Sequence, residues 1–239
     1  MSADGSAAEG ATSPLPVPRL ALAALFVTAL VTSQVTASKI LAFSLPFSIP
    51  LTGSTLLVPG AVFAYALTFF ASDCYAELYG RRAAHELVNV AFAMNFVLLG
   101  LVWLAIAAPA FANSPVPGSE FAAVLGPSTG IVAGSLLAYL VSQNWDVLVF
   151  HRLREATDGD KLWLRNVAST ASSQLIDTVI FITVAFVVFQ GFGLSAALGL
   201  IVGQYVVKLL IALVDTPFVY LVVGLARGRG SDAGPVTAD

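Results

Sequence analysis

Six runs of mostly apolar residues alternate with short polar stretches, at about 19–43, 56–79, 84–108, 125–150, 166–190 and 195–226. Crossing a hydrocarbon core takes about 20 residues of helix, and every run reaches that length. A backbone inside lipid must satisfy its own hydrogen bonds, so such runs predict helices. The pattern predicts an all-α, polytopic integral membrane protein: six transmembrane helices over 19–226, with cytoplasmic tails at 1–18 and 227–239. The first 18 residues are small, polar and punctuated by proline, and are expected to be disordered. They carry no basic stretch ahead of the first apolar run, which argues against a cleaved signal peptide.

Composition agrees with the pattern. Apolar residues make up 58% of the 239 and charged residues 10%, and the mean hydropathy is +0.88. A soluble globular domain does not have this balance. Six spans leave no room for a separate soluble domain. The net charge of −3 is small and says little about partners. Cys74 is the sole cysteine, which excludes an internal disulfide and a cysteine-cluster metal site.

The charges orient the spans. The connections at 44–55 and 109–120 are rich in Pro, Ser and Gly and contain no Lys or Arg. Arg81 and Arg82 follow the second span, and Arg152, Arg154, Lys161 and Arg165 fill the fourth connection. Arg19 precedes the first span, while Arg227 and Arg229 close the sixth. The positive-inside rule therefore puts both termini in the cytoplasm of a cell-membrane protein. Only Lys39 and Lys208 fall inside the apolar runs.

Small residues recur at four-residue spacing: Gly126, Gly130 and Gly134 on the fourth span, Gly199 and Gly203 on the sixth. Glycine lets backbones approach closely, so these read first as packing seams. An echo between LVTSQ (30–34) and LVSQ (140–143) is too short to establish an inverted repeat, and chance explains it.

The informative residues are polar ones in apolar runs. A central Asp, Lys or Arg costs about 2.5–3.5 kcal/mol on insertion scales, yet this chain carries Lys39, Asp73, Glu77, Asp146, Asp177, Lys208 and Asp215. Gln34, Ser38, Asn89, Asn95, Gln143, Asn144, Ser173, Gln174 and Gln204 accompany them. Asp73 and Glu77 are one helical turn apart and share a face, as do Ser173 with Asp177 and Gln204 with Lys208. Plainer readings exist. Glu77 can pair with Arg81, Asp146 lies near the cytoplasmic boundary, Lys39 can snorkel, and a Lys–Asp pair can be a helix-to-helix clasp. His85 and His151 sit beside basic residues at helix ends and read as interfacial. The aromatics Phe63, Tyr65, Phe69, Phe70, Tyr75, Phe181 and Phe186 face lipid or core by default, with one or two free to stack a flat ligand. Asp73, Asp177 and Lys208 are hardest to explain structurally; intramembrane ionisable groups mark substrate pathways or proton relays.

These residues fall in blocks that resemble the queuosine precursor transporter family, also called vitamin-uptake-transporter-like. TFFASDCYAELYGRRAA (68–84) resembles its core signature, SSQLIDTVIFITVAF (172–186) its second block and GQYVVKLLIALVDTPFVYLV (203–222) its third; TASKI (36–40) fits the first span more loosely. The resemblance implies a six-helix importer of 7-deazapurine bases, chiefly 7-cyano-7-deazaguanine and its aminomethyl relative, which feed queuosine and archaeosine in tRNA. It implies a fold similar to the substrate-binding components of energy-coupling-factor vitamin importers, and carries a binding role onto Asp73, Glu77, Gln174, Asp177 and Lys208. Gln34, Lys39 and Asn95 complete the candidate substrate-binding set. The first span lacks a small-residue stripe in its cytoplasmic half of the kind those components use to dock a coupling subunit, which favours a stand-alone secondary carrier.

A deazaguanine presents N1–H and 2-amino donors beside the O6 acceptor. A carboxylate, Asp177 or Asp73, accepts both donors at once. Gln174 would bond O6 or a ring nitrogen, and Lys208 would neutralise the empty site or donate to O6. Neither a cofactor nor a metal is expected, and no nucleic-acid partner; lipid surrounds the protein, and a homodimer or coupling module is left open. Two other readings are a binding subunit of an ATP-driven importer and a membrane-embedded enzyme. The enzyme reading finds no DDxxD-like run, no His pair at ligand spacing and no Gly-x-Ser-x-Gly elbow.

Overall fold

The computed structural model describes residues 17–49, 52–157 and 162–231. Residues 1–16 and 232–239 of the tails, Lys161, and the side chains of Arg165, Arg227 and Arg229 lie outside the described residues. In order, the elements are α1 (Val17–Thr36), β1 (Ile40–Ile49), β2 (Gly53–Pro59), α2 (Val62–Tyr79), α3 (Arg81–Ala107), α4 (Gly118–Leu125), α5 (Ser128–Ala156), α6 (Leu162–Ile182) and α7 (Leu194–Ser231). A π-helical turn, Thr183–Val188, extends α6.

The fold is mainly helical, but it is not all-α. Residues expected at the end of the first span and the start of the second form an antiparallel β-hairpin, with Ile40 opposite Pro59 and Ser44 opposite Thr55. Phe43, Leu45, Phe47 and Ile49 alternate with smaller residues, a period of two that suits a strand. Pro46 falls in the irregular stretch between Ser44 and Ile49, where a missing N–H breaks no ladder bond. Gly53 turns the chain with φ of 66°. As a result α1 ends at Thr36, and Lys39 lies exposed in the turn beyond it rather than inside a span. Lys39 is the one basic residue at the hairpin end among the described residues; Arg81, Arg82, Arg152 and Arg154 stand at the other end.

Five helical stretches are long and apolar enough to cross a membrane: Val17–Thr36, Arg81–Ala107, Gly118–Ala156, Val167–Val188 and Leu194–Leu225. α2 is separate, because its 18 residues include Asp73, Glu77 and three tyrosines. It packs between α1 and α7 and contacts α3 across Gly80, whose φ of 88° reverses the chain in one residue. Exposed Phe96, Leu101, Trp103 and Leu104 on α3, and Leu209, Leu210 and Leu213 on α7, give the bundle an apolar surface suited to lipid.

Both glycine stripes form packing seams with different partners, except at Gly126, whose Cβ would meet only Ala122 one turn before it. A Cβ on Gly130 would sit 2.5 Å from that of Phe189, and one on Gly134 would sit 3.2 Å from that of Ala185, so α5 lies close against the π-helical segment. On α7, Gly203 faces the backbone of β2: a Cβ there would lie 1.9 Å from the Leu57 carbonyl oxygen. The hairpin is thus clamped directly onto α7. Two buried clusters result. One joins Ala37, Ile131, Phe181, Phe186 and Leu200; the other joins Phe26, Leu30, Ala71, Tyr75 and Ala91.

Candidate functional site

A cavity of about 100 Å³ lies between the two clusters. On this measure one water occupies roughly 10–15 Å³, so the space suits several waters or one small ring system. α1 and the turn after it contribute Leu30, Ser33, Gln34 and Ala37, and α2 with the residue before it contributes Ala61, Val62 and Tyr65. α5 supplies Ile131, Ser135, Ala138 and Tyr139, and α6 supplies Asp177 and Phe181. Gln204, Val207, Lys208 and Ile211 come from α7, Phe92 from α3, and Val58 with Pro59 from the hairpin. Helical spacing explains the selection: 30, 33, 34 and 37, or 204, 207, 208 and 211, fall on single faces.

The charged centre is an ion pair. Lys208 Nζ donates to Asp177 Oδ2 at 2.6 Å, with Lys208 only 4% exposed and the Asp177 side chain 16%. Away from water each charge needs the other, because an uncompensated buried ion costs several kcal/mol. The Tyr65 ring lies 5.3 Å from Lys208 Nζ, a cation–π distance. Ser142 Oγ reaches Asp177 Oδ1 only at 3.5 Å, so that oxygen keeps room for a stronger donor. Ser135 Oγ donates to Gln34 Oε1 at 3.4 Å. Phe92 and Tyr139 pack with ring centroids 4.4 Å apart, and together with Tyr65 and Phe181 they give the cavity aromatic walls.

The sequence-derived candidates divide. Asp177, Lys208 and Gln34 share the cavity. Asp73 and Glu77 are exposed on α2 and do not line it. Asp73 lies within electrostatic reach of Asp215, which lines a separate apolar groove between α2 and α7. Gln174, one turn from Asp177, has its Oε1 buried without a hydrogen-bond partner among the described residues. Lys39 is exposed at the hairpin end. Asp146, also outside the cavity, accepts from Ser173 Oγ at 3.3 Å.

Asn95 is fully buried on α3, one turn past Phe92, and neither polar atom of its side chain has a partner among the described residues. A buried amide in that state costs about 1–3 kcal/mol. Asn95→Leu is therefore expected to raise the melting temperature of the empty protein in detergent. A fall in that temperature would show that the amide is satisfied in the native bundle.

Phe92, Ser135 and Tyr139 in the cavity wall, and Ser142 beside Asp177, were not anticipated. The last three carried a readable signal, since positions 135, 139 and 142 form one polar stripe on α5 at helical spacing. Among the described residues no group of three or more His, Cys, Asp or Glu is placed to hold a metal.

Known proteins resemble this chain over its centre. Residues 59–222 match a family described as "Putative vitamin uptake transporter". A protein of Bacillus subtilis (strain 168) named "Probable queuosine precursor transporter" is 34% identical over 164 residues, covering 65% of this chain and 67% of that protein. No solved structure matches. The matched region holds every cavity residue except Leu30, Ser33, Gln34, Ala37 and Val58. A polytopic helical membrane protein with a buried, mixed polar and aromatic cavity is what carrying a small polar solute requires. The chain belongs to the vitamin uptake transporter family, and it is a multi-pass membrane transporter rather than an enzyme.

Proposed function

We propose that this protein imports 7-deazaguanine-type bases, 7-cyano-7-deazaguanine and its aminomethyl relative, through the cavity built on Asp177 and Lys208. The observation that carries the reading is the buried pair: a carboxylate beside a cation, in aromatic walls, inside a chain whose relative is named a queuosine precursor transporter. The Asp177 carboxylate accepts N1–H and the 2-amino group together, the strongest arrangement available to that edge. Lys208 donates to O6 while remaining neutralised by Asp177. Gln34, whose Oε1 is engaged by Ser135, offers its NH₂ to a ring nitrogen. Tyr65, Phe92, Tyr139 or Phe181 stacks on the ring.

On this reading α2 is the sixth span, held in the bundle by its packing between α1 and α7. The bundle corresponds to the binding components of energy-coupling-factor importers, with both termini in the cytoplasm of the cell membrane and the hairpin outside. Asp73 and Glu77 then stand on the cytoplasmic half of α2, beside the exit route, with Gln174, Asn95 and Lys39 as further stations on the path. The protein works as a stand-alone secondary carrier.

Purified protein in sealed vesicles is expected to accumulate labelled 7-cyano-7-deazaguanine without any ATP-hydrolysing partner. Binding without accumulation would instead favour a substrate-binding subunit that needs a coupling module. Absence of binding would remove the base assignment.

A further inference from the structure

We infer that Gln204 lets one cavity accept a 7-deazaguanine carrying either a hydrogen-bond-accepting nitrile or a hydrogen-bond-donating aminomethyl group, by turning its side-chain amide over. The inference rests on the proposed function and adds the residue that reads the ring substituent. Gln204 lines the cavity, and its Oε1 is buried without a partner among the described residues. Gln34, the other cavity glutamine, differs because Ser135 Oγ donates to its Oε1 and fixes which end of that amide serves as acceptor. Among the described residues nothing comparable fixes Gln204. Its terminal torsion is broad and close to two-fold, so a half-turn exchanges the carbonyl and the NH₂ at little cost.

Position supports the same role. Gln204 lies one turn before Lys208 on the same face of α7, about 6 Å along the axis. In a 7-deazaguanine, O6 and the substituent on C7 are neighbours along one edge of the ring system. With O6 at Lys208, the C7 substituent falls beside the next residue up that face, toward the hairpin that Gly203 holds. A nitrile there accepts from the amide NH₂, and an ammonium donates to the amide oxygen. A fixed acid or base at 204 would favour one substituent and repel the other. A neutral amide also leaves the Asp177–Lys208 pair undisturbed.

The test uses the full-length protein in vesicles at pH 8, with competition by 7-cyano-7-deazaguanine, 7-aminomethyl-7-deazaguanine and unsubstituted 7-deazaguanine. Gln204→Met should weaken both substituted bases about tenfold more than the unsubstituted ring, the loss of one hydrogen bond. Gln204→Glu should keep the aminomethyl base and weaken the nitrile by about tenfold or more, through loss of the donor. Equal losses for all three bases in Gln204→Met, or none, would overturn the role of Gln204 while leaving the proposed function standing. Failure of the wild-type protein to take any of the three would overturn the proposed function and this inference together.

Discussion

Asp177→Ala and Lys208→Ala should each abolish uptake of the base, and the double variant should fold better than either single one while still failing to transport. Lys208 is 4% exposed and 2.6 Å from its only carboxylate partner among the described residues. Removing one member strands a charge in the bundle, at about 3–5 kcal/mol. Removing both takes away the two desolvation costs together with their mutual attraction, so the protein recovers most of that loss. The sites that hold the base are still gone, so transport does not return. Thermal unfolding in detergent, beside uptake in a strain that can neither make nor import the precursor, separates the two effects. A simple helix-to-helix clasp predicts the opposite: uptake returning in the double variant along with stability. Near-normal uptake by both single variants would remove the assignment outright.

Gly203→Val should be nearly as damaging, although it touches no charge and no ligand. Its Cβ would be placed 1.9 Å from the Leu57 carbonyl oxygen and 2.9 Å from the Leu57 carbonyl carbon, and both are backbone atoms. No side-chain rotation relieves such an overlap, so α7 and β2 must separate. Overpacking of this kind costs about 1–3 kcal/mol and at times more. The separation would also withdraw Val58 and Pro59 from the cavity wall, so uptake should fall with stability. Gly199 supplies the control. A Cβ there meets only the Leu57 Cδ1 atom, at 3.2 Å, and a methyl group at the end of a side chain can move. Gly199→Ala should therefore keep most of the uptake. Equal behaviour of Gly199→Ala and Gly203→Val would show that the hairpin is not clamped at Leu57.

The hairpin replaces the ends of two expected helices. Residues 40–43 and 56–59 are as apolar as the helices they were joined to, and apolarity alone does not distinguish a strand from a helix. The alternation of Phe43, Leu45, Phe47 and Ile49 carried the strand signal, but Pro46 sits within it and argues against a strand unless its N–H position goes unused. That last condition is a property of the pairing, which no single strand reveals. Lys39 moved from a span to an exposed turn for the same reason.

Asp73 teaches a related lesson. It shares a helix face with Glu77, as its spacing requires, but the spacing does not say toward which neighbour that face turns. Packing of α2 between α1 and α7 brings Tyr65 to the cavity and leaves Asp73 and Glu77 exposed.

Local rules, acting on the sequence by itself, were enough to establish a polytopic helical membrane protein, the clustering of basic residues toward one end, and the placing of Asp177 and Lys208 inside apolar runs. Insertion cost and helical period depend only on residues near one another in the chain. The tertiary structure alone decided that Lys208 bonds Asp177 across 31 positions, that Leu57 meets the α7 backbone at Gly203, and that α5 contributes a polar wall. These depend on how helices rotate and dock, which is set by the packing of all their faces together.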